Sequence, residues 1–481
     1  MNESAFIGRE EELSQLNALL KKKSASLVAV KGRRRVGKSR LIEQFAIGKK
    51  FYKFTGLAPV NGITAQDQRN EFARKLHQQT GLPKVTTEDW ADLFTFLARE
   101  LRRDSVIVLF DEISWMAMDD PTFLPKLKNA WDDEIKNNAK LILFLCSSVS
   151  MWFDANILSS TAFFGRISWE LQLDPLPLVD ANRMLEAQGF KSSAHEKLKI
   201  LSVTGGIPWY IEQMQGQFSA DENIRRQCFT PGGIMVEEFD RIFHDLFEKN
   251  DYIYKKIILS LQEGALDYEN IALRSAYTKS GRLSKYIENL VKAGFITEDK
   301  TWSLRTGKTL RLSMYRLSDN YIRFYLNFIA PRRDKIASKL IKTLTLSSLP
   351  AWETIMGLQF ENLVINNRHE LYSLLNIAPD TVIYSNPYFQ KKSTRQKGCQ
   401  IDFLIQTKFN TLYAVEIKFS QNKIKSQVIE EVRAKIKSMS LPRGTAVFPV
   451  LIHVNGVTNG LIDADYFHAI IDFSEVLSGN F

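Results

Sequence analysis

Cysteine is scarce in this chain of 481 residues, which contains only Cys146, Cys228 and Cys399. This wide spacing is neither that of a zinc site nor that of a disulfide framework, and it is typical of a reducing compartment. Long apolar runs are absent too, since no stretch reaches the roughly 18 residues that predict a transmembrane helix. The first residues lack the charged and apolar regions of a signal peptide. We therefore expect a cytoplasmic protein without a membrane partner.

Internal repeats and low-complexity tracts are absent as well. Hydrophobic residues make up 44% of the chain and charged residues 25%, which predicts several packed cores in three or four domains. The formal net charge is +10, and most of the excess lies in residues 387–443, with 12 Lys and Arg against 4 Asp and Glu. A basic segment of this kind predicts a nucleic-acid partner, which we expect to be DNA.

A phosphate-binding motif of the pattern G-x-x-x-x-G-K-S/T occurs near the start of the chain, in the segment Gly32-Arg33-Arg34-Arg35-Val36-Gly37-Lys38-Ser39. The apolar run before it predicts a buried strand, and the spacing of the residues from Arg40 onward predicts a helix. Backbone N–H groups in such a turn bind phosphate, aided by the helix dipole. Residues 32–40 are therefore expected to bind a nucleoside triphosphate. Lys38 would reach the β- and γ-phosphates, and Ser39 would bind Mg²⁺.

The second half of such a site is predicted where an apolar strand ends in acidic residues. Residues 106–110 are all apolar, and Asp111 and Glu112 follow them. A strand buried on both faces of a parallel sheet has continuous apolar sequence, and its carboxyl end opens onto the crevice where ligands bind. We expect Asp111 to hold Mg²⁺ and Glu112 to polarise the attacking water.

Six separated motifs follow a common order along the chain: residues 6–13, the phosphate loop, residues 109–112, Ser147-Ser148, residues 164–166 and residues 204–210. In this order they resemble the archaeal-type ATPases, a prokaryotic branch of the AAA+/STAND group. The resemblance covers residues 1–330. It implies an α/β fold with a P-loop AAA+-type parallel sheet and a helical lid, and it implies ATP as the ligand.

The resemblance also implies roles for residues outside the phosphate loop. Ile7, Gly8 and Arg9 would lie near the adenine, and Pro208 would belong to the lid. Ser147, which follows a third apolar run, would sense the γ-phosphate.

Arginines in two places have alternative interpretations. Arg166 is either a catalytic residue that stabilises γ-phosphate charge or a surface residue after a glycine turn. Arg33, Arg34 and Arg35 depart from the family pattern, and they either help to bind the phosphates or face solvent. The sequence leaves both questions open.

Breaks and changes of periodicity predict four domains: an ATPase core at 1–175, a helical lid at 176–248, a winged-helix domain at 249–330 and a nuclease-like domain at 331–481. In the third domain, turn residues at Ser280 predict the start of a recognition-type helix. Lys279, Arg282 and Lys285 contact DNA in one interpretation. In the other, the winged helix is a rigid spacer.

The last domain contains a second candidate active site. Residues 400–405 and 411–418 predict two strands of a hairpin, with Asp402 on the first and Glu416 and Lys418 on the second. Side chains alternate between the two faces of a strand, so Glu416 and Lys418, two residues apart, share one face. The hairpin brings Asp402 beside Glu416. Two carboxylates can hold Mg²⁺ and activate water, while a nearby ammonium stabilises negative charge.

This arrangement resembles the PD-(D/E)xK nuclease superfamily, in which a helix with the pattern Gly-x-x-Phe-Glu supplies a further acid. The match implies that Glu361 is a third metal ligand. The leading hypothesis is an ATP-hydrolysing enzyme coupled to a metal-dependent, DNA-acting endonuclease-like domain. The alternative is a nucleotide-dependent switch or DNA-binding regulator whose nuclease fold is inactive. The sequence does not decide whether the protein forms a homo-oligomer.

Overall fold

The computed structural model describes residues 6–479, with the exception of Asn61, Arg103, Asp119, Val149, residues 248–250, Ser393 and Arg395. The chain divides into two compact units, Met1–Pro175 and Leu176–Phe481. Each unit has its own sheet or sheets and its own core.

The first unit is built on a five-stranded parallel sheet in the order β2-β3-β4-β1-β5. Its strands are β1 (Ser26–Lys31), β2 (Lys50–Thr55), β3 (Val106–Asp111), β4 (Leu141–Ser147) and β5 (Ile167–Gln172). The three central strands are the continuous apolar runs that the sequence predicted, because both of their faces are covered. Strands β2 and β5 lie at the edges and are only partly buried, so their mixed sequences gave no comparable signal.

Helices cover both faces of this sheet: α1 (Glu10–Leu19), α2 (Lys38–Ala46), α3 (Ala65–Thr80), α4 (Trp90–Glu100), α5 (Ile113–Met116), α6 (Phe123–Asp133) and α7 (Ser150–Phe153). On one face Phe72 and Trp90 join Phe54 and Phe110 of the sheet in an aromatic cluster. On the other, α1 and α2 pack on β1 and β4. The α/β prediction for this region is confirmed.

The second unit begins with helices: α8 (Leu178–Ala187), α9 (Ala194–Thr204), α10 (Pro208–Ile211), α11 (Ala220–Cys228), α12 (Ile234–Phe247) and α13 (Asp251–Ser260). A three-stranded antiparallel sheet in the order β6-β8-β7 follows, with two helices between its first and second strands. Its elements are β6 (Leu266–Asp267), α14 (Tyr268–Arg274), α15 (Gly281–Lys292), β7 (Ile296–Trp302) and β8 (Thr309–Leu317). Asp267 and Ser280 cap the two helices through their side chains.

The chain then forms α16 (Asn320–Phe324), α17 (Arg333–Ala337), α18 (Trp352–Asn366) and α19 (Arg368–Leu374). A five-stranded mixed sheet in the order β13-β12-β11-β10-β9 completes the unit. Its elements are β9 (Val382–Gln390), β10 (Cys399–Thr407), β11 (Thr411–Ile417), α20 (Gln427–Ser438), β12 (Ala446–His453), α21 (Asn459–Ile462) and β13 (Ala469–Asp472). Strands β9 to β11 are antiparallel, and β11 to β13 are parallel.

The β7–β8 hairpin packs against the mixed sheet through Trp302. The Trp302 ring stacks on Tyr384, and its Nε1 donates to Gln406 Oε1 at 2.5 Å. Among the helices that the structure describes, none combines the length and apolar character that crossing a bilayer requires.

Candidate nucleotide and metal sites

The loop between β1 and α2 has a backbone that only glycine allows at two positions. Gly32 has φ 154°, and a Cβ atom there would lie 2.4 Å from the carbonyl oxygen of Leu173. Gly37 has φ 94° and directly precedes α2. The glycines of the motif therefore let the chain turn tightly from the strand into the helix N-terminus, where backbone N–H groups gather.

The Lys38 side chain folds back over this loop. Its Nζ donates to the carbonyl oxygens of Gly32 at 2.8 Å and Arg33 at 3.2 Å, and the residue is 7% exposed. The ammonium is thus held by two backbone dipoles inside the turn, the place where the β- and γ-phosphates bind in such loops.

Ser39 and Asp111 come together although they lie 72 positions apart in the sequence. The Ser39 hydroxyl oxygen is 2.9 and 2.8 Å from the two carboxylate oxygens of Asp111. Asp111 ends β3, and its side chain is largely buried. A hydroxyl and a carboxylate in contact at the end of a phosphate loop form a donor set suited to Mg²⁺.

The sequence gave no sign of the role of Lys53 on β2. Its Nζ lies 3.3 Å from Asp111 Oδ2 and 2.8 Å from Glu43 Oε1. Burial lowers the pKa of Lys53, but the two carboxylates outweigh burial and raise that pKa above its ordinary value. An ammonium therefore neutralises part of the charge of the predicted metal ligand.

Glu112 adopts a left-handed backbone conformation with φ 52° directly after β3. Its Oε2 accepts hydrogen bonds from the backbone N–H of Ser148 at 3.0 Å and from the Ser148 hydroxyl at 2.9 Å. Ser147, the predicted γ-phosphate sensor, instead donates to the Ser114 hydroxyl. Ser148 is therefore the member of the pair that contacts the predicted catalytic acid.

Arg9, near the start of the chain, contacts the phosphate loop. Gly8 has φ 76°, and the Arg9 that follows is 7% exposed. Arg9 donates to the carbonyl oxygen of Asp174 at 2.5 Å and pairs with Glu12 at 3.0 Å, and its Nη2 lies 3.5 Å from the carbonyl oxygen of Val36. These contacts give Arg9 a structural part in holding the loop. The predicted place of Ile7, Gly8 and Arg9 beside adenine stays a prediction.

The three arginines of the loop differ in exposure. Arg33 is 7% exposed, so the solvated interpretation does not hold for it. Arg34 and Arg35 are half-buried, and Arg35 has φ 72°. Arg40, in the first turn of α2, is exposed.

Arg166 lies at the end of the sheet opposite the phosphate loop. The next residue, Ile167, starts β5 and pairs with Leu27 near the start of the parallel strand β1, whereas the loop follows the end of β1. The guanidinium pairs with Asp132, with Nη2 to Oδ2 at 2.7 Å, and holds the Asp132 pKa well below its usual range. A role for Arg166 at the nucleotide of its own chain is therefore not compatible with this fold.

Residues 6–214 match a family model described as an ATPase domain predominantly from Archaea. This chain contains a P-loop ATPase domain. The uncharacterized protein MJECL04 of Methanocaldococcus jannaschii is 26% identical over 339 residues, which are 69% of this chain and 70% of that protein. The Walker-type ATPase PABY2304 of Pyrococcus abyssi shares the fold, with a TM-score of 0.50 and 18% identity over 67% of this chain and 96% of that one. The Aeropyrum pernix ORC2 protein gives a TM-score of 0.42, with 15% identity over 70% of this chain and 97% of that one.

An ATPase domain of this family binds nucleotide, in agreement with the predicted ligand ATP. Pro208 falls inside the matched range, and it is the first residue of α10 in the second compact unit. Proline suits that position because it donates no backbone hydrogen bond.

Outside the ATPase domain, the hairpin of β10 and β11 brings the predicted C-terminal residues together. Phe403 pairs with Val415, so Asp402 and Glu416 are the next opposed positions. Asp402 Oδ2 accepts the backbone N–H of Ile417 at 3.0 Å. The β9–β10 register shifts between Ile401 and Leu404, and this irregularity directs Asp402 out of the regular pairing.

Two lysines neutralise the carboxylates. Lys418 Nζ is 3.0 Å from Glu416 Oε1 and 3.0 Å from Glu431 Oε2. Lys435, on α20, was not predicted, and its Nζ is 2.5 Å from Glu416 Oε2 and 3.1 Å from Asp402 Oδ1. The Glu416 side chain is only 3% exposed, so it depends on these partners because an unpaired buried charge is costly.

Glu361, on α18, is close enough to feel the charge of Asp402. Burial and that negative charge raise the pKa of Glu361 to about 7, although Arg316, Arg323 and Lys435 oppose the rise. Within the described part of the chain, no group of three or more His, Cys, Asp or Glu side chains is arranged to hold a metal. The described side chains are therefore not arranged as the three-carboxylate metal site that the sequence predicted with Glu361 as a ligand.

The lysines expected to contact DNA are partly engaged within the protein. Lys391 pairs with Asp267 at 2.8 Å, Lys279 with Glu269 at 3.0 Å and Lys285 with Glu288 at 3.4 Å. Arg282, at the start of α15, is exposed. Arg395, which belongs to the predicted basic surface, lies outside the described residues.

Proposed function

We propose that the ATPase domain hydrolyses ATP with Lys38 on the phosphates, Ser39 and Asp111 on Mg²⁺ and Glu112 on the attacking water. The observation that carries this proposal is the contact of the Ser39 hydroxyl with Asp111 beside the turn that holds Lys38. The donors fit Mg²⁺ because a hydroxyl and a carboxylate meet at one point, and Mg²⁺ would offset phosphate charge there. Glu112 is held by Ser148 in a position next to this pair.

Arg166 acts, in this proposal, on the nucleotide of a second copy of the chain. Its position at the opposite end of the sheet supports a role in trans, and the neighbouring Phe164 is 82% exposed. An arginine delivered to the γ-phosphate stabilises the charge that develops in the transition state. ATP hydrolysis would then require a homo-oligomer.

We further propose that residues 331–481 form a nuclease-like domain with a divalent-cation site at Asp402 and Glu416. Lys435 Nζ contacts both carboxylates and marks a point where one cation reaches both, which supports the fit of Mg²⁺. A bound cation would supply Lewis acidity for phosphodiester hydrolysis. Lys418, paired with Glu416 at the margin of the site, would stabilise phosphate charge.

DNA is the proposed substrate, because basic residues are concentrated in 387–443. The helices α14 and α15 followed by the β7–β8 hairpin have the order of a winged helix, which we assign to residues 249–330. Residues 176–248 are assigned as the lid. The docking of Trp302 on the mixed sheet supports the spacer interpretation of the winged helix over a free DNA-binding wing.

The test is cleavage of single-stranded, duplex and branched DNA with Mg²⁺ or Mn²⁺ and ATP. Asp402→Ala and Glu416→Ala should each abolish cleavage, and chelator should do the same. Lys418→Ala should slow the reaction without removing metal, because an ammonium stabilises phosphate charge and does not coordinate the cation. Glu430→Ala is a matched control, since this exposed carboxylate on α20 pairs with Arg433. Cleavage that survives Asp402→Ala would refute the assigned site.

A further inference from the structure

The carboxylates of Asp402 and Glu416 are bridged by one ammonium, that of Lys435. The bridge joins an atom of α20 to side chains of β10 and β11, with Nζ–O distances of 3.1 and 2.5 Å. Both contacts join the Lys435 ammonium to a carboxylate oxygen, so they are ion pairs. A cation of the protein itself therefore stands where both carboxylates converge.

Lys418 offers an internal comparison. It contacts the other oxygen of Glu416, and its second partner is Glu431 on α20 rather than Asp402. Lys418 thus sits beside the carboxylate pair, whereas Lys435 sits between its two members.

We propose that Lys435 is a built-in competitor that holds the Asp402–Glu416 pair in the absence of metal and leaves when a divalent cation binds. This inference rests on the proposed metal site. Magnesium binds carboxylate oxygens at about 2.1 Å, so an ion on these two oxygens would take the space and the electron pairs that Lys435 Nζ uses. Repulsion between ammonium and dication adds to the exclusion.

The surroundings of Lys435 allow this exchange. Its side chain is 30% exposed, so the ammonium has a route to solvent, and lysine carries its charge on a flexible stem. Glu416 is almost fully buried and needs a positive partner in either state. The lysine would keep the site assembled without metal, and the metal would then release an ammonium at its rim.

The test measures Mn²⁺ binding to the full chain without nucleotide, by the magnetic resonance signal of free Mn²⁺. The reference protein and every variant carry Asp111→Ala, so that the other proposed cation site, at Ser39 and Asp111, does not contribute, and "wild type" refers to position 435. Lys435→Met should bind Mn²⁺ about 10-fold more tightly than the wild type, because a charged hydrogen-bonded competitor is removed. Lys435→Arg should restore the wild-type affinity. Lys418→Met is the matched control, and it should change the affinity much less because Lys418 does not bridge the pair.

Thermal unfolding provides a second readout. In chelator, Lys435→Met should unfold at a lower temperature than the wild type, and Mn²⁺ should raise its midpoint more than it raises that of the wild type. Equal or weaker Mn²⁺ binding by Lys435→Met, with binding still abolished in Glu416→Ala, would overturn competition and leave the proposed metal site standing. If neither the wild type nor Lys435→Met binds Mn²⁺, or if binding survives Glu416→Ala, the proposed metal site and this inference are overturned together.

Discussion

The Ser39 hydroxyl lies within 2.9 Å of both carboxylate oxygens of Asp111, and this contact joins the phosphate loop to the end of β3. Strand β4 lies between β3, which ends at Asp111, and β1, which leads into the phosphate loop, so the contact joins segments that follow non-adjacent strands. Long side-chain reach is not needed because Ser39 is in the first turn of α2, above the carboxyl edge of the sheet. The predicted phosphate-binding loop and the predicted metal ligand therefore meet at one point.

Lys38→Ala should lower ATP turnover roughly 100-fold or more and weaken nucleotide binding, since it removes the charge that bridges the phosphates. Glu112→Gln should instead retain bound ATP while hydrolysis slows, because only the polarisation of water is removed. Phosphate release and binding of a fluorescent ATP analogue distinguish the two variants. Lys22→Ala, an exposed lysine outside the loop, is the control. Unchanged turnover in Lys38→Ala would rule out this site.

Arg166→Ala should lower ATP turnover on the order of 1000-fold if the arginine completes the site of another copy. Mixing it with Lys38→Ala should restore activity above the sum of the two, because the second protein supplies Arg166 to an intact phosphate loop. The control mixture contains Arg166→Ala and a variant with both Lys38→Ala and Arg166→Ala, so neither protein in it supplies the arginine. A strictly additive mixture would argue against action in trans.

Glu361 should make the protein less stable as pH rises. Its folded pKa of about 7 exceeds the ordinary value of 4.5, so between these values the folded state holds a proton that the unfolded state has released. The free energy of unfolding falls across this pH window by roughly 3 kcal/mol, since each pH unit contributes about 1.4 kcal/mol. Glu361→Gln should remove the loss, so its unfolding midpoint in chelator should exceed that of the wild type at pH 8 and match it near pH 4.5. Glu353→Gln, on the same helix and exposed, should track the wild type.

DNA affinity should fall steeply as salt rises, with a slope set by the number of DNA phosphates that the protein neutralises. Reversing Lys391, Lys392, Arg395 and Lys397 to glutamate should flatten that slope by about 1 for each phosphate that is no longer neutralised. Reversing Lys279, Arg282 and Lys285 is the comparison. If only the second set flattens the slope, the DNA surface lies on the α14–α15 segment, and our assignment is wrong. Fluorescence anisotropy over a salt series measures both.

The sequence by itself determined the phosphate loop, the central strands and the β10–β11 hairpin. Each is specified by residues near one another in the chain. Glycines mark the turn, apolar runs mark strands that are buried on both faces, and alternation of apolar and polar residues marks strands that are buried on one face. Asp402 and Glu416 could be paired from the sequence because a hairpin fixes which positions oppose each other. The edge strands β2 and β5 carried too little apolar pattern for the same inference.

Only the tertiary structure decided which partners the charged residues take. Lys53 reaches Asp111 from β2, Ser148 holds Glu112 from the end of β4, and Lys435 bridges Asp402 and Glu416 from α20. It also placed Arg166 at the end of the sheet away from its own phosphate loop. These contacts depend on strand order, register and the docking of helices, so residues far apart in the chain meet for reasons that no local pattern encodes.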